Sequence, residues 1–348
     1  MNKLGIVIAL AIGAAACTMS LPPVRVLGTK TDEAHRPTYN GLAIKSGQIV
    51  LTESPDATSY VFTLIPKKFY PFTHSAIISV EDGEPWVYDV TGEVKTLPFK
   101  SRMMDNVKGK MYRRRLFEYV APNLYAEIYD PPPGADPEKV AAFARAKYKE
   151  GVEFDAYFDF HDHSKMFCTE LVALAVQESG GPKIPIQESN PNPSIVESMA
   201  WLGVPPGEAL PAGVFADSSR YIGALGQFPT RTAAWSYFEA KRELHRRFTI
   251  DQRLGFIAVM DSNGRIDVRP EIAAFGARAG HLFDNDPNPP QPGDPRITAA
   301  VRKLAAEHFG PFADDVEPQH DQAAKPPPNA FLPSSSQRRV ARAFANEH

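Results

Sequence analysis

An Asp82-Gly83 pair bracketed by two β-rich runs is the tightest constraint this sequence places on its own fold. Residues 73–80 carry Ile77, Ile78 and Val80, and residues 84–90 carry Trp86, Val87, Tyr88 and Val90. Both residues of an Asp-Gly turn tolerate positive φ, so the pair predicts a two-residue hairpin and an antiparallel sheet around it. Such a turn fixes the register: Glu81 faces Glu84, and His74 faces Thr91. Side chains alternate between faces, which puts Asp89 and Glu93 on the face of His74 as its diagonal neighbours, ~7–8 Å away along the backbone. A carboxylate in that place can hold one ring nitrogen and leave the other for chemistry, the base half of a nucleophilic site. A strand histidine satisfied by its surroundings is the other reading of the same residues.

Around the hairpin the pattern is mixed. Gly47-Gln48-Ile49-Val50-Leu51 reads as a strand, and so do residues 59–65; residues 113–129 are amphipathic without a clear period. Asp136 followed by Pro137 predicts a capped helix to about residue 149. Ser164 is the expected N-cap of a helix over 165–179, which stops at Gly180-Gly181-Pro182. Residues 182–213 read as loop. Helices are expected over 232–248 and 297–308, and a hairpin over 254–268 that turns at Asn263-Gly264. The fold class is α+β: an antiparallel sheet packed on the helix that carries Cys168, followed by a mainly helical C-terminal extension. The expected divisions are a signal segment (1–16), a tether (17–40), the main domain (41–210), the helical extension (211–285), and a Pro-rich linker, short helix and tail (286–348). No internal repeat is found.

Composition narrows the function. The 348 residues are 43% hydrophobic, which excludes wholesale disorder and suggests roughly two domains of about 150 residues. With 38 basic and 41 acidic side chains, a net charge of -3 and a pI near 6.3, nothing draws the chain to nucleic acid. Eleven of the 33 prolines fall in the last 64 residues, so the proline excess marks that end. Arg338, Arg339 and Arg342 sit there, able at most to touch anionic lipid or cell wall weakly.

There are two cysteines. Met1-Asn2-Lys3 and the apolar run 4–13 are too short for a membrane span. Ala14-Ala15-Ala16-Cys17 resembles the lipobox of bacterial lipoproteins, with Ala14 where Leu is usual; an ordinary secretory signal with Cys17 incidental is the alternative. Thr18, in place of the Asp that retains such lipoproteins at the inner membrane, favours the periplasmic side of an outer membrane. Lipidation of Cys17 leaves Cys168 as the single thiol of an exported chain, where it is either buried and inert or kept for its reactivity. Near a helix N-terminus its thiolate is favoured and backbone N–H groups stand ready for an oxyanion. It also shares a face with Leu171, Val172 and Ala175, which is the core reading.

His74-Ser75-Ala76-Ile77-Ile78, Val87-Tyr88-Asp89-Val90 and Phe167-Cys168-Thr169-Glu170-Leu171-Val172 together resemble the circularly permuted papain-like amidases, the YiiX-like branch of the NlpC superfamily of cysteine hydrolases. The resemblance spans roughly residues 41–200. It includes the 47–50 strand, with Gln48 where the family has an acid, and the aromatic-acidic run 154–160. It implies a permuted papain-like fold with Cys168 as nucleophile, His74 as base and Asp89, often Glu in relatives, as the third residue; Glu93 stays a rival. The implied protein is a lipid-anchored amidase or peptidase of the cell envelope acting on peptidoglycan peptides, with no metal or organic cofactor. An acyl-lipid hydrolase or acyltransferase on an acylated small molecule, and a non-catalytic envelope scaffold, are the alternatives.

Three further features have plainer readings. Glu170 points to another helix face than Cys168 and is expected to cap or pair rather than catalyse, and Tyr157 to pack, with an acyl pocket or oxyanion role second. Asp155, Asp159, His161, Asp162 and His163 could hold a divalent metal but read as a solvated acidic loop. Arg113-Arg114-Arg115 reads as a surface ion-pairing run.

Overall fold

The computed structural model describes residues 23–30, 32, 35, 38–94, 107–202, 204, 207–250, 258–260 and 266–312. The signal segment with Cys17, the tail arginines Arg338, Arg339 and Arg342, and the expected turn at Asn263-Gly264 lie outside these residues.

In chain order the strands are β1 (Arg25–Thr29), β2 (Ile49–Glu53), β3 (His74–Glu81), β4 (Glu84–Val94), β5 (Val107–Arg115) and β6 (Tyr125–Tyr129). A two-residue ladder of β7 (Gln187–Glu188) and β8 (Glu208–Ala209) follows, then β9 (Tyr221–Gly226) and the pair β10 (Ala258–Met260) and β11 (Ile266–Val268). The helices are α1 (Ala57–Leu64), α2 (Leu116–Val120), α3 (Pro137–Glu150), α4 (Cys168–Glu178), α5 (Pro193–Leu202), α6 (Arg231–Ile250), α7 (Pro270–Gly280) and α8 (Pro295–Phe309). The protein is a mixed α+β structure built on a seven-stranded sheet of order β1-β9-β6-β2-β3-β4-β5, antiparallel at every junction.

The hairpin turns at Asp82 and Gly83 with φ of 52° and 81°, the left-handed values such a turn requires. Its register runs from Glu81 opposite Glu84 to Ile77 opposite Tyr88. Period-two alternation then sorts the sheet's side chains into two cores. Ile49, Leu51, Ile77, Tyr88 and Val90 pack with Leu171, Val172, Ala175 and Val176 of α4. Val50, Ala76, Ile78 and Val87 pack with Leu116 and Val120 of α2.

Several segments differ from the sequence expectation. Of the stretch 59–65, residues 59–64 belong to helix α1 and Ile65 is its C-cap: the Asp56 carboxylate accepts the Ser59 N–H at 3.2 Å, and Ser59, Tyr60, Thr63 and Leu64 are buried at helical spacing. Residues 25–29, placed in the tether, form the edge strand β1 on β9. Strand β9, from the segment assigned to a helical extension, pairs with β6 inside the sheet. Helix α5 occupies part of the stretch read as loop. The ambiguous stretch 113–129 resolves into the end of β5, helix α2 and strand β6.

Helix α6 is bound to the sheet by two buried carboxylates. Glu127 of β6 accepts hydrogen bonds from the hydroxyls of Tyr125 and Tyr129, from Arg231 and from the Trp235 indole. Glu53 of β2 takes the Lys241 ammonium at 2.5 Å. Helices α7 and α8 pack on α6. Among the described residues no helix is long and apolar enough to cross a membrane.

Candidate active site

Cys168 is the first residue of α4 and His74 the first of β3, so the site forms where a helix start meets a strand start. The helix begins three residues later than the Ser164 cap predicts. Residues just before it pair backwards: Met166 donates its N–H to the Glu153 carbonyl at 3.0 Å and accepts the Asp155 N–H at 2.8 Å. The chain therefore becomes helical only at Cys168, and the first helical hydrogen bond is Leu171 N–H to the Phe167 carbonyl, 3.0 Å. Up to that point the backbone N–H groups have no acceptor within the helix.

The Cys168 thiol is buried beside the His74 imidazole, and each group is the other's strongest charge partner. Burial pushes its pKa up, but the imidazolium and the backbone N–H groups of Ser75 and Thr169 outweigh that and hold it below the usual thiol range. Burial likewise acts against charge on His74; the Cys168 thiolate and Asp89 overcome it and raise the imidazole to about 10. The pair is thus set toward thiolate and imidazolium at neutral pH.

Asp89 is fully buried in β4, and its Oδ2 lies 3.3 Å from His74 Nε2. Nδ1 is the ring nitrogen left for the sulfur. The structure brings Cys168, His74 and Asp89 into one cluster. Glu93 sits four positions further along β4, opposite Lys108 in the register, and its side chain lies outside the described residues.

Arg114, read from the sequence as part of a surface run, reaches inward instead. Its Nη2 lies 2.8 Å from Asp89 Oδ1 and 2.7 Å from Oδ2. The register explains why only the middle arginine does so: Asp89 faces Tyr112, making Arg114 its diagonal neighbour on the same face, whereas Arg113 points the other way to Glu81 and Tyr88. Tyr119 of α2 closes the floor, its ring centroid 6.2 Å from that of His74 and its hydroxyl 3.5 Å from Thr52 Oγ1. Burial and the Asp89 charge keep its phenol well above the usual tyrosine range.

Glu170 does not join this cluster. Its carboxylate accepts the Phe167 N–H at 3.3 Å and meets His163 Nδ1 at 2.6 Å, capping α4 and tying the preceding loop to it. Tyr157 enters through its backbone, whose N–H donates to Asp155 Oδ1 at 2.9 Å. The acidic loop is organised by such bonds: Asp155 also accepts the Asp159 N–H, Asp159 the His161 N–H and Asp162 the Ser164 N–H. Among the described residues no three His, Cys, Asp or Glu side chains are grouped to hold a metal ion.

An aromatic wall adjoins the nucleophile. Phe158 packs on Phe62, Phe154 and Phe167, and Phe160 on Phe167, with ring centroids 5.1–6.0 Å apart. Phe158 has φ of 56°, a conformation costing of order 1–3 kcal/mol in a bulky residue, which these ring contacts offset. Gly92 admits the wall to the sheet, since a Cβ there would lie 2.5 Å from the Phe154 ring.

Glu170 also makes a testable contribution to stability. Burial raises its carboxyl to about 7, against the opposing pull of His163 and the Phe167 N–H. The unfolded chain releases this proton at lower pH than the folded one, so stability falls as pH rises from about 4.5 to about 7, by roughly 2–3 kcal/mol. Glu170→Gln keeps an acceptor for the Phe167 N–H without the charge. Denaturant titrations are expected to find the variant about 1–2 kcal/mol more stable than wild type at pH 8 and no more stable at pH 4; equal pH dependence in the two chains would contradict this.

No family model matches the sequence, and no curated protein matches it. Among solved structures the chain is similar to the crystal structure of metalloprotein YiiX from Escherichia coli O157:H7, at 14% identity and a TM-score of 0.39, over 51% of this chain and 95% of that one. So slight a likeness leaves function to be argued from the geometry of the site.

Proposed function

We propose that the protein is a cysteine hydrolase that cleaves an amide or ester carbonyl on a permuted papain-like fold. The observation that carries this reading is the line of partners from Cys168, charge-coupled to His74, through His74 to the buried Asp89 to which its ring is hydrogen-bonded. The Cys168 thiolate attacks the carbonyl carbon, and the carbonyl electron pair moves onto oxygen. That oxyanion lies at the N-terminus of α4, where the Cys168 N–H is a donor. As the tetrahedral intermediate collapses, the His74 imidazolium gives its proton to the leaving amine or alcohol, leaving a thioester. His74, now neutral, takes a proton from water, whose hydroxide releases the acid and restores the thiolate. Asp89 holds the ring throughout. No step calls for a metal or an organic cofactor.

The residues before Cys17 support placement in the cell envelope with a lipid anchor, and Thr18 after it the periplasmic side of an outer membrane, which makes cell-wall peptides the first substrate class to test. The aromatic wall beside Cys168, with Phe62 37% exposed, favours a second reading in which an acylated small molecule or lipid is the substrate. A non-catalytic scaffold is the outcome if the thiol proves inert. The deciding experiment is incubation with activated aryl esters, followed by intact-mass and peptide analysis for an acyl group on Cys168. A covalent acyl-enzyme that forms in wild type and is absent in Cys168→Ser is expected; no acylation and no iodoacetamide labelling below pH 8 would defeat the reading. Muropeptides against acyl-lipid substrates then separate the two classes.

A further inference from the structure

We propose that Arg114 is a positioning residue of this site, dividing the charge of Asp89 between two cations so that the carboxylate orients His74 without trapping its proton. The inference rests on the Cys168–His74 reading above. Asp89 lies in the interior, where an unshared carboxylate against an imidazolium would form a strong ion pair and oppose proton transfer to a leaving group. The distances rank its partners: Arg114 Nη2 is 2.7 and 2.8 Å from the two oxygens, His74 Nε2 3.3 Å from one.

The groups facing Asp89 are few. His74 comes from β3, Arg114 and the directly opposed Tyr112 from β5, and Tyr119 from α2, with Cys168 of α4 beyond the imidazole. Tyr119 is neutral across the working range because burial and Asp89 hold its proton. Two anions and two cations therefore alternate along the line Cys168, His74, Asp89, Arg114. Removing the last leaves net negative charge in the interior, which favours protonation of both His74 and Cys168. A guanidinium suits the place: it is charged at any relevant pH, and its Cζ lies 5.4 Å from the ring centroids of both Tyr112 and Tyr119.

The test compares full-length wild type, Arg114→Met and Arg114→Lys by two readouts that a merely structural role would leave in place. One is the pH dependence of Cys168 alkylation by iodoacetamide, read on the Cys168 peptide by mass spectrometry; the other is the His74 imidazole titration followed by NMR. In Arg114→Met both transitions are expected to move alkaline by about one unit, giving roughly tenfold slower alkylation on the acid limb. Arg114→Lys keeps the charge, but its shorter side chain does not bring the nitrogen to the place of Nη2 between the two oxygens, and it is expected to lie between the two. A folded Arg114→Met whose two profiles coincide with wild type overturns the inference. Should that variant not fold, Arg114→Lys decides, and its coincidence with wild type overturns the inference equally. An ordinary thiol titration near 8.5 in wild type itself would instead overturn the Cys168–His74 reading on which this one rests.

Discussion

Replacing His74 with alanine is expected to abolish turnover while leaving the fold in place. The imidazole is a quarter exposed and sits at the first position of β3, so its loss removes little core packing. Its chemical loss is large. Hydrolysis loses both the base that activates water and the acid that protonates the leaving group, a drop on the order of 10²–10⁴-fold. Cys168 loses the cation that opposes its burial, so the thiol pKa rises to or above the ordinary value and alkylation at pH 7 falls steeply. In wild type the thiolate–imidazolium pair persists up to about pH 10, where His74 gives up its proton. Turnover should therefore fall off above that pH, while alkylation, which needs only the thiolate, should not. Rates measured from pH 5 to 11 for wild type and His74→Ala check both points. Unchanged Cys168 alkylation in the variant would mean that the imidazole does not set the thiol's reactivity.

The largest expected stability effect lies away from the site. Lys241 of α6 is almost wholly buried, and its Nζ donates to Glu53 Oε1 at 2.5 Å, to the Ser59 carbonyl at 3.2 Å and to Ser59 Oγ at 3.1 Å. Burial lowers its pKa, and Glu53 counters this. Lys241→Met leaves the Glu53 carboxylate buried in β2 with only the hydroxyls of Ser59, Thr73 and Tyr237 around it. Breaking a buried pair on one side costs about 3–5 kcal/mol, a fall in Tm on the order of 10 °C for a chain of this size. The double variant Lys241→Met with Glu53→Gln removes both charges and should recover most of that loss. Thermal and urea denaturation of the two variants provide the measurement. Equal destabilisation in both would assign the effect to packing and not to the orphaned charge.

The register of the β3–β4 hairpin was legible because turn type and period two act together: an Asp-Gly turn admits one pairing, and one pairing places Asp89 near His74. The cap of α3 was legible for a similar local reason, Asp136 accepting the Glu138 and Lys139 N–H groups. Failures came where local chemistry pointed one way and distant partners another. The β-rich run 59–65 is helical up to Leu64 because Asp56 caps it and the buried positions recur at helical spacing. The sequences Arg25–Thr29 and Tyr221–Gly226 lack strict alternation and carry glycines, so nothing local marks them as partners in one sheet. Arg114 was lost among three identical residues, since telling it from Arg113 and Arg115 needs the β4–β5 register, and no turn signal in the intervening chain supplies one.

The strand order has a consequence for how the chain comes to be folded. The first strand made, β1, lies against β9, which is made nearly two hundred residues later. A polypeptide emerging in sequence, whether from a ribosome or through a translocation pore, assembles the hairpin, Cys168 and His74 well before its first strand has anything to bind. The opening segment is therefore the last piece of the sheet to be locked down, and the edge of β6 that β9 covers stays open while about ninety further residues are made, an interval in which such a chain is exposed to aggregation or to a chaperone.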